Sequence, residues 1–298
     1  DGRKTMSKAD KIVDLIINRI EKGVKDKWQM PWHNSDFRFP INTKGHEYQG
    51  LNCFWLYMVK DQQNYSSNQW GTYQQWKEIG GDVAGQSATA FNQYILQPKL
   101  RMDDDDNQLC YGFKAWAVFN RDQVKGIPRQ PHPQTFVTKE MITDQAIKNQ
   151  TAKWFDNIPA VIETGFNKAC YVPSKDIIKM PDFDQFKSDI DYYTVLGHEI
   201  IHWTGAKHRL NRQLSQERKE YAFEELVAEL GTALIAANLK IQSKPTTNTT
   251  VYVNGWLKAM KQKPKVLWDA MSLAKYAVSF CNDLQKKNIA KQMHKEVA

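Results

Sequence analysis

The residues best suited to catalysis in this chain of 298 residues form the motif His198-Glu199-Ile200-Ile201-His202. On an α-helix, side chains at positions i and i+4 lie on one face, so both imidazoles can bind the same metal ion. A carboxylate next to the first ligand is placed to accept a proton from an attacking water molecule. The motif therefore predicts a divalent metal site in which His198 and His202 are ligands and Glu199 is the general base.

A third ligand is needed, because catalytic zinc sites hold the metal through three protein side chains. Segment 223–229, FEELVAE, places its carboxylates among apolar residues and resembles the ExxxD/E helix of gluzincins, whose first acid is the ligand. We predict Glu225 as the third ligand and Glu229, on the same helical face, as the acceptor of a hydrogen bond from a ligand histidine. In this arrangement Glu224 points away. Two alternatives stay open for the third ligand: Glu229 itself, and His208, which completes the HExxHxxGxxH spacing of metzincins.

The predicted ligands also indicate which metal the site takes. Two imidazoles and one carboxylate suit Zn²⁺, a borderline metal, and Mn²⁺ or another divalent cation stays open as an alternative. A two-metal nuclease fits the motif less well, because it needs clustered carboxylates. A purely structural metal site has no need of a base such as Glu199.

Periodicity along the chain predicts an α+β fold. Apolar repeats at helical spacing predict helices at 7–27, 70–78, 139–149, 191–203 and 217–239, and two basic helices within 251–295. The apolar run 51–60 is compatible with either a helix or a buried strand. Aromatic and β-branched runs predict strands at 88–96, 111–119, 158–163 and 169–172, the first two forming a hairpin. Apolar residues make up 41% of the chain and charged residues 25%, which excludes wholesale disorder.

The boundaries of two domains follow from a change in composition. Segment 128–135 is proline-rich and has no periodicity, so it predicts a linker between domains 1–127 and 136–298. In the second domain, strand 169–172 precedes Pro173 and is predicted to be an edge strand that holds an extended peptide.

Charge and cysteine usage indicate the surroundings of the protein. The net charge of +8 is accounted for by residues 240–298, which hold eleven lysines and three acids and so favour an anionic partner. Cys53, Cys110, Cys170 and Cys281 are far apart in apolar stretches, which predicts reduced, buried thiols in a cytoplasmic protein. No apolar run approaches the roughly 18 residues of a membrane helix, so we expect no membrane partner.

Several motifs together resemble the ArdC family of plasmid antirestriction proteins over nearly the whole chain. They are PW at 31–32, PIN at 40–42, WGTY at 70–73, GGDV at 80–83, AVFN at 117–120, HEIIHWTGAKHRLNR at 198–212 and YAFEELVAELGTALIA at 221–236. The resemblance implies an N-terminal domain that binds single-stranded DNA and a C-terminal zincin-like, gluzincin-type metallopeptidase domain. It further implies a protein that protects DNA entering the cell by conjugation from type I restriction, with a restriction subunit or another protein as the peptidase substrate.

The aromatic residues of the first domain are compatible with binding of single-stranded DNA. Residues 1–127 hold six Trp, six Tyr and six Phe, and bases stack on such rings without regard to sequence. Residues in polar, glycine-rich loops are predicted to contact DNA: Trp32, Lys44, Tyr48, Trp70 and Tyr73. Tryptophans in periodic apolar runs are predicted to be core: Trp55, Trp76 and Trp116.

The alternative to an antirestriction protein with a peptidase site is a single-stranded DNA-binding protein whose metal site is structural or inactive. Neither reading predicts the oligomeric state.

Overall fold

The fold was obtained as a computed structural model. It describes residues 39–48, 50–89, 93–102, 108–128, 144–212, 218–241, 258–261 and 265–296, residue 256 and seven helical positions between 11 and 21. The chain divides into two compact units, one with the described residues up to 128 and the other with those from 144. The predicted linker lies outside the described residues except for Pro128. No helix in these ranges is long and apolar enough to cross a membrane.

The first unit combines helices with two pairs of antiparallel strands. Its described elements are α1 (Leu51–Gln62), β1 (Trp70–Gly71), α2 (Tyr73–Glu78), β2 (Tyr94–Met102), β3 (Gln108–Ala117) and β4 (Phe119–Asn120). Strands β2 and β3 form the predicted hairpin, with its bounds shifted along the chain, and β1 pairs with β4. Of the predicted opening helix, the described positions between 11 and 21 are helical.

Helix α1 is the centre of the core of the first unit. Eight of its twelve residues are buried, as its nearly continuous apolar sequence requires. The polar Asn52 is satisfied by the backbone of β2, because its amide nitrogen donates to the Leu96 carbonyl at 2.8 Å and its oxygen accepts from the Leu96 N–H at 2.7 Å. One side chain therefore fixes the hairpin against the helix.

The predicted helix 70–78 is shorter than expected. Trp70 and Gly71 belong to β1, and the helix begins only after Thr72, whose side chain and that of Gln75 form a reciprocal capping box. A Cβ at Gly71 would lie 2.7 Å from Thr43 Cγ2, so only glycine permits this close approach of the turn at 42–46.

The second unit has a three-stranded sheet and a layer of helices. Its described elements are α3 (Asp144–Asp156), β5 (Val161–Glu163), β6 (Cys170–Val172), β7 (Ile177–Lys179), α4 (Asp189–Thr204), α5 (Arg218–Leu239) and α6 (Lys265–Glu296). The strand order is β5-β7-β6, which makes β6 an edge strand as predicted. Strand β7 was missed by the sequence analysis, because only three residues of it pair.

Helices α4 and α5 approach each other closely. A Cβ at Gly231 of α5 would lie 2.8 Å from the side chain of Ile201 in α4, so the absence of a side chain permits the contact. Helix α4 begins at Ser188, whose hydroxyl accepts the N–H of Asp191 at 3.2 Å. The acids Asp189 and Asp191 in its first turn complement the helix dipole.

The basic C-terminal segment, predicted to hold two helices within 251–295, is helical at each of its described positions between 256 and 295. Helix α6 runs over 32 residues and packs with an apolar face that includes Met271 and Cys281, both buried. Before it, only residues 256 and 258–261 are described as helical.

Candidate metal centre

Helix α4 presents His198 and His202 to the same point, as their spacing predicts. Their Nε2 atoms lie 3.2 Å apart, and the helix packs against α5 on this face. Glu225 of α5 reaches both rings: its Oε2 is 3.4 Å from His198 Nε2, and its Oε1 is 3.5 Å from His202 Nε2. Among the described residues, these three side chains form the group that could share a metal ion, with ligand atoms within 4.8 Å of one another.

The donor atoms fit a divalent cation. Glu225 is 1% exposed, and its Oε2 has no hydrogen-bond partner among the described residues. A buried carboxylate oxygen without a donor is costly unless a cation compensates it. Two imidazole nitrogens and a carboxylate are a donor set that zinc and similar metals accept. His198, His202 and Glu225 would hold such an ion.

Burial and neighbouring charges shift the pKa values of His202 and Glu225 in opposite directions. Burial lowers the pKa of His202, but the Glu224 and Glu225 carboxylates beside its ring outweigh this effect and raise the pKa to about 10. Burial raises the pKa of Glu225, but its contacts with both histidines outweigh this effect and hold the pKa well below its usual range. Without a metal, these carboxylates therefore favour the protonated form of the His202 ring, so a cation competes with that proton.

Two buried groups, the Glu224 carboxylate and the Arg212 guanidinium, orient the His202 ring on the side of its Nδ1 atom. Its Nδ1 lies 3.3 Å from Glu224 Oε1. Arg212 holds Glu224 through both carboxylate oxygens, at 2.8 Å from Nη2 to Oε1 and 3.0 Å from Nε to Oε2. Arg212 also donates to the Ile201 carbonyl at 2.5 Å and to the Thr204 hydroxyl at 2.9 Å, which fixes it to the end of α4.

The prediction that Glu224 points away was therefore wrong. The rotation of α5 brings Glu224 and Glu225 to the two sides of the His202 ring. Glu229 is buried, but within the described part of the chain it is not the acceptor predicted for a ligand histidine. His202 Nδ1 faces Glu224, and His198 Nδ1 has no hydrogen-bond partner there. Arg212 was not singled out from the sequence, although a basic residue near a doublet of acids was a signal.

His208 does not join the three potential ligands. Its side chain is 63% exposed and its Nε2 lies 3.2 Å from Asp176 Oδ2. Arg209 contacts the same acid, and its hydrogen bonds hold the pKa of Asp176 down at about 2. Met260 and Met271, the residues available for a metzincin Met-turn, are buried in or near helices.

The edge strand β6 contacts the residue predicted to be the base. The backbone N–H of Tyr171 donates to Glu199 Oε2 at 2.7 Å, so this N–H points away from β7. Alternation along an antiparallel pair then turns the Val172 N–H towards β7, and Pro173 has no N–H. From residue 171 to 173, the outer edge of β6 therefore offers carbonyl oxygens and no free N–H group.

Cys170 on the same strand is exposed. The prediction of four buried thiols was wrong at this position, because none of the described elements covers the Cys170 side chain on its face of the sheet. Cys53 and Cys281 are buried as predicted, and the side chain of Cys110 lies outside the described residues.

The residues predicted to bind DNA differ in how far their side chains are exposed to solvent. Tyr73 is 54% exposed, and Lys77 Nζ lies 5.9 Å from the centre of its ring. Lys44 occupies an exposed turn that packs against Gly71, two residues before Tyr73. Tyr48 is half-buried and its hydroxyl donates to the Trp70 carbonyl at 3.4 Å.

The prediction that Trp70 contacts DNA was wrong. Its ring is completely buried, because its strand pairs with β4, and such a ring cannot stack on a base. Trp32 lies outside the described residues. Of the tryptophans predicted to be core, Trp55 and Trp76 are buried.

The prediction that Trp116 belongs to the core was also wrong, because this residue is 40% exposed. Lys114 Nζ lies 3.8 Å from the centre of a Trp116 ring, and the indole N–H donates to Gln97 Oε1 at 2.9 Å. The signal was the spacing of two residues between the lysine and the tryptophan, which puts both on the same face of a strand.

Comparison with known proteins assigns each unit separately. Residues 6–124 match the model of the N-terminal domain of anti-restriction factor ArdC, and residues 149–273 match that of a zincin-like metallopeptidase. The metal-free crystal structure of antirestriction protein ArdC from plasmid R388 is 28% identical, with a TM-score of 0.72, over 92% of this chain and 98% of that one. Its Mn(II)-bound structure is 29% identical, with a TM-score of 0.75, over 92% and 97%.

Two kinds of curated relative are similar as well. An uncharacterised protein of Sinorhizobium fredii, y4eC, is 29% identical over 89% of this chain and 88% of its own length. Two Escherichia coli proteins named DNA primase TraC are 27% and 26% identical, but the chain spans only 20% and 28% of their lengths.

Proposed function

We propose that the chain is a member of the ArdC family of antirestriction proteins, because each of its units matches a domain of that family and the ArdC structure from plasmid R388 is similar over 92% of the chain. We further propose that its first unit binds single-stranded DNA and that its second unit is a metal-dependent peptidase. The peptidase proposal rests on one observation: two histidines and a glutamate converge in a buried site, and the helix that carries both histidines also carries Glu199, whose charge acts on His202. The named relative binds Mn(II) in its crystal structure, which supports a divalent metal here without distinguishing Mn²⁺ from Zn²⁺.

The proposed reaction is hydrolysis of a peptide bond. When bound, the metal supplies Lewis-acid polarisation of the scissile carbonyl and of water. Glu199 Oε2 is occupied by the Tyr171 N–H, and Oε1 makes no hydrogen bond to a described residue. Oε1 accepts a proton from water as the water oxygen attacks the carbonyl carbon. It then passes that proton to the amine nitrogen as the C–N bond breaks.

The variant Glu199→Gln tests this role. We expect it to fold and to bind metal like wild type, because the side chain keeps its shape and is not a ligand. Any hydrolysis of casein or of the protein itself should fall by about 100-fold or more, since the proton acceptor is lost. Gel analysis of digestion and elemental analysis of the same sample measure both properties. Hydrolysis at the wild-type rate in this variant would refute the role of Glu199 as general base. If the wild-type protein itself cleaves no substrate, the result favours a structural metal site.

Binding of single-stranded DNA is proposed for the surface formed by Tyr73, Lys77 and the turn that carries Lys44. A nucleobase can stack on an exposed aromatic ring, and a cation beside the ring can bind the phosphate of the same nucleotide. The exposed Trp116 and Lys114 have the same combination on β3. The named relatives include primases, proteins that work on DNA, which supports the proposal.

Substitution of Tyr73 by alanine should weaken binding of single-stranded DNA on every sequence tested. Stacking contributes about 1–3 kcal/mol per base, which corresponds to roughly a 5- to 150-fold loss of affinity. Fluorescence anisotropy with an oligonucleotide and its duplex, at several salt concentrations, provides the measurement. The control is Ile79→Ala, which removes exposed apolar surface from the same region without removing a ring. Equal losses in both variants, or equal affinity of wild type for duplex, would count against stacking.

Protection from restriction is proposed to come from covering the incoming strand, and not from peptide cleavage. Binding of a single strand needs no specific protein partner. A conjugation assay that scores plasmid establishment in restricting and non-restricting recipients distinguishes the two routes. Protection kept by Glu199→Gln and lost in Tyr73→Ala supports covering, and the reverse supports cleavage of a restriction subunit.

A further inference from the structure

Arg209, five residues after the end of the metal-binding helix, links that helix to the β6–β7 hairpin, and the exposed His208 contacts the same hairpin at Asp176. Arg209 donates from Nε to the Trp203 carbonyl at 2.6 Å, and its guanidinium stacks 3.9 Å from the centre of a Trp203 ring. These contacts attach Arg209 to the last turn of α4. The side chain is 8% exposed, so its orientation is restricted by packing.

The other end of the guanidinium holds the β6–β7 hairpin. It binds both oxygens of Asp176, with Nη1 at 3.0 Å from Oδ2 and Nη2 bonded to Oδ1, and Nη2 donates to the Tyr171 hydroxyl at 3.1 Å. The Tyr171 hydroxyl in turn donates to Asp176 Oδ1 at 2.8 Å. Two parallel hydrogen bonds from a planar guanidinium fix the orientation of the Asp176 carboxylate as well as its distance from Arg209, which a lysine ammonium cannot do.

The backbone of Tyr171 completes a closed ring of contacts. Its N–H donates to Glu199 Oε2, and Glu199 lies on α4 one turn before Trp203. The path runs from Glu199 along α4 to Arg209, across to Tyr171, and back to Glu199. The position of β6 relative to α4 therefore decides whether one oxygen of the carboxylate is anchored.

We infer that Arg209 is a positioning residue of the site: by holding Asp176 and the Tyr171 hydroxyl, it fixes β6 so that the Tyr171 N–H anchors Glu199. Anchoring Oε2 leaves Oε1 in a single orientation for proton transfer, so this inference rests on the proposed role of Glu199. The ligand His202 is contacted by Glu224, which Arg212 holds, so the Arg209 network acts on the base and not on the metal.

Hydrogen exchange at the Tyr171 amide tests the inference without requiring hydrolysis. In the full-length protein loaded with Zn²⁺, Arg209→Lys should speed exchange of this amide by about tenfold, because the charge stays but the fork is lost. Tyr171→Phe, which removes only the hydroxyl, should speed it in the same direction, and Glu199→Ala should do so by removing the acceptor. The control Lys207→Met changes an exposed cation two residues before Arg209 and should leave exchange unchanged.

Metal affinity and kinetics separate positioning from general stability. Arg209→Lys should bind Zn²⁺ within about twofold of wild type, since no ligand or ligand contact is altered. Where wild type hydrolyses a peptide, kcat should fall more than KM rises. Unchanged exchange in both Arg209→Lys and Tyr171→Phe overturns the inference, and so does faster exchange throughout α4 with loss of Zn²⁺. A wild type without hydrolysis refutes the proposed function only, because the exchange result stands by itself.

Discussion

Alanine at His198, His202 or Glu225 is expected to abolish binding of divalent metal at neutral pH, whereas His208→Ala should retain it. Four-ligand structural zinc sites bind with about 10–16 kcal/mol, so each ligand accounts for roughly 2.5–4 kcal/mol. Loss of one ligand should therefore weaken binding by roughly 100- to 1,000-fold. The expected contrast follows from the geometry, because His208 is exposed beside Asp176 while the other three converge in a buried site.

Elemental analysis after gel filtration and titration against a chelating dye measure this effect. Circular dichroism must show that each variant is folded, because an unfolded chain also loses its metal. Glu225→Gln serves as the conservative version, since it keeps the volume of the buried side chain. Full occupancy in both histidine variants would contradict the site, and loss of metal in His208→Ala with retention in Glu225→Ala would assign the third position to His208.

Removal of the Arg212 guanidinium should be the most destabilising single change among those considered. Arg212→Met removes both guanidinium hydrogen bonds from the buried carboxylate of Glu224, whose remaining contact among the described residues is His202 Nδ1. The Ile201 carbonyl keeps the Thr204 hydroxyl as a donor. Breaking a buried pair in this way costs about 3–5 kcal/mol of the free energy of unfolding. Metal affinity should fall as well, by about 10- to 100-fold, because Glu224 then no longer orients the His202 ring.

A second variant separates the two effects. Glu224→Leu combined with Arg212→Met removes both buried charges, so it should recover part of the unfolding free energy but none of the metal affinity. Urea unfolding in excess chelator measures stability without the contribution of bound metal. Lys207→Met, an exposed change nearby, should have little effect on either quantity. Wild-type metal affinity in Glu224→Gln would show that orientation of His202 does not depend on this carboxylate.

Local sequence was sufficient for those parts of the site that lie on one helix. The spacing of His198 and His202 brings the two rings together on any α-helix, whatever surrounds it. The aromatic and β-branched runs that predicted the β2–β3 hairpin are equally local, as is the proline that marks β6 as an edge. These features depend on residue types and on the helical period within a short stretch of chain.

Sequence was not sufficient where partners come from distant parts of the chain. Trp70 stands in a glycine-rich, loop-like segment, yet it is buried because β1 pairs with residues 119–120, about fifty positions later. Trp116 stands in an apolar run, yet one face of its strand is open to solvent. Burial of a ring depends on which element covers it, and a periodic pattern cannot identify that element.

The tertiary structure alone decided the roles of the carboxylates around the metal centre. Sequence determined that α5 carries three acids among apolar residues, but not which of them faces α4. That choice depends on the rotation of α5, and Gly231 permits its close contact with Ile201 in α4. This packing turns Glu225 to both histidines and Glu224 to His202 and Arg212. The side chains converge because two helices fit together at one angle, which is a property of their packed surfaces and not of either sequence alone.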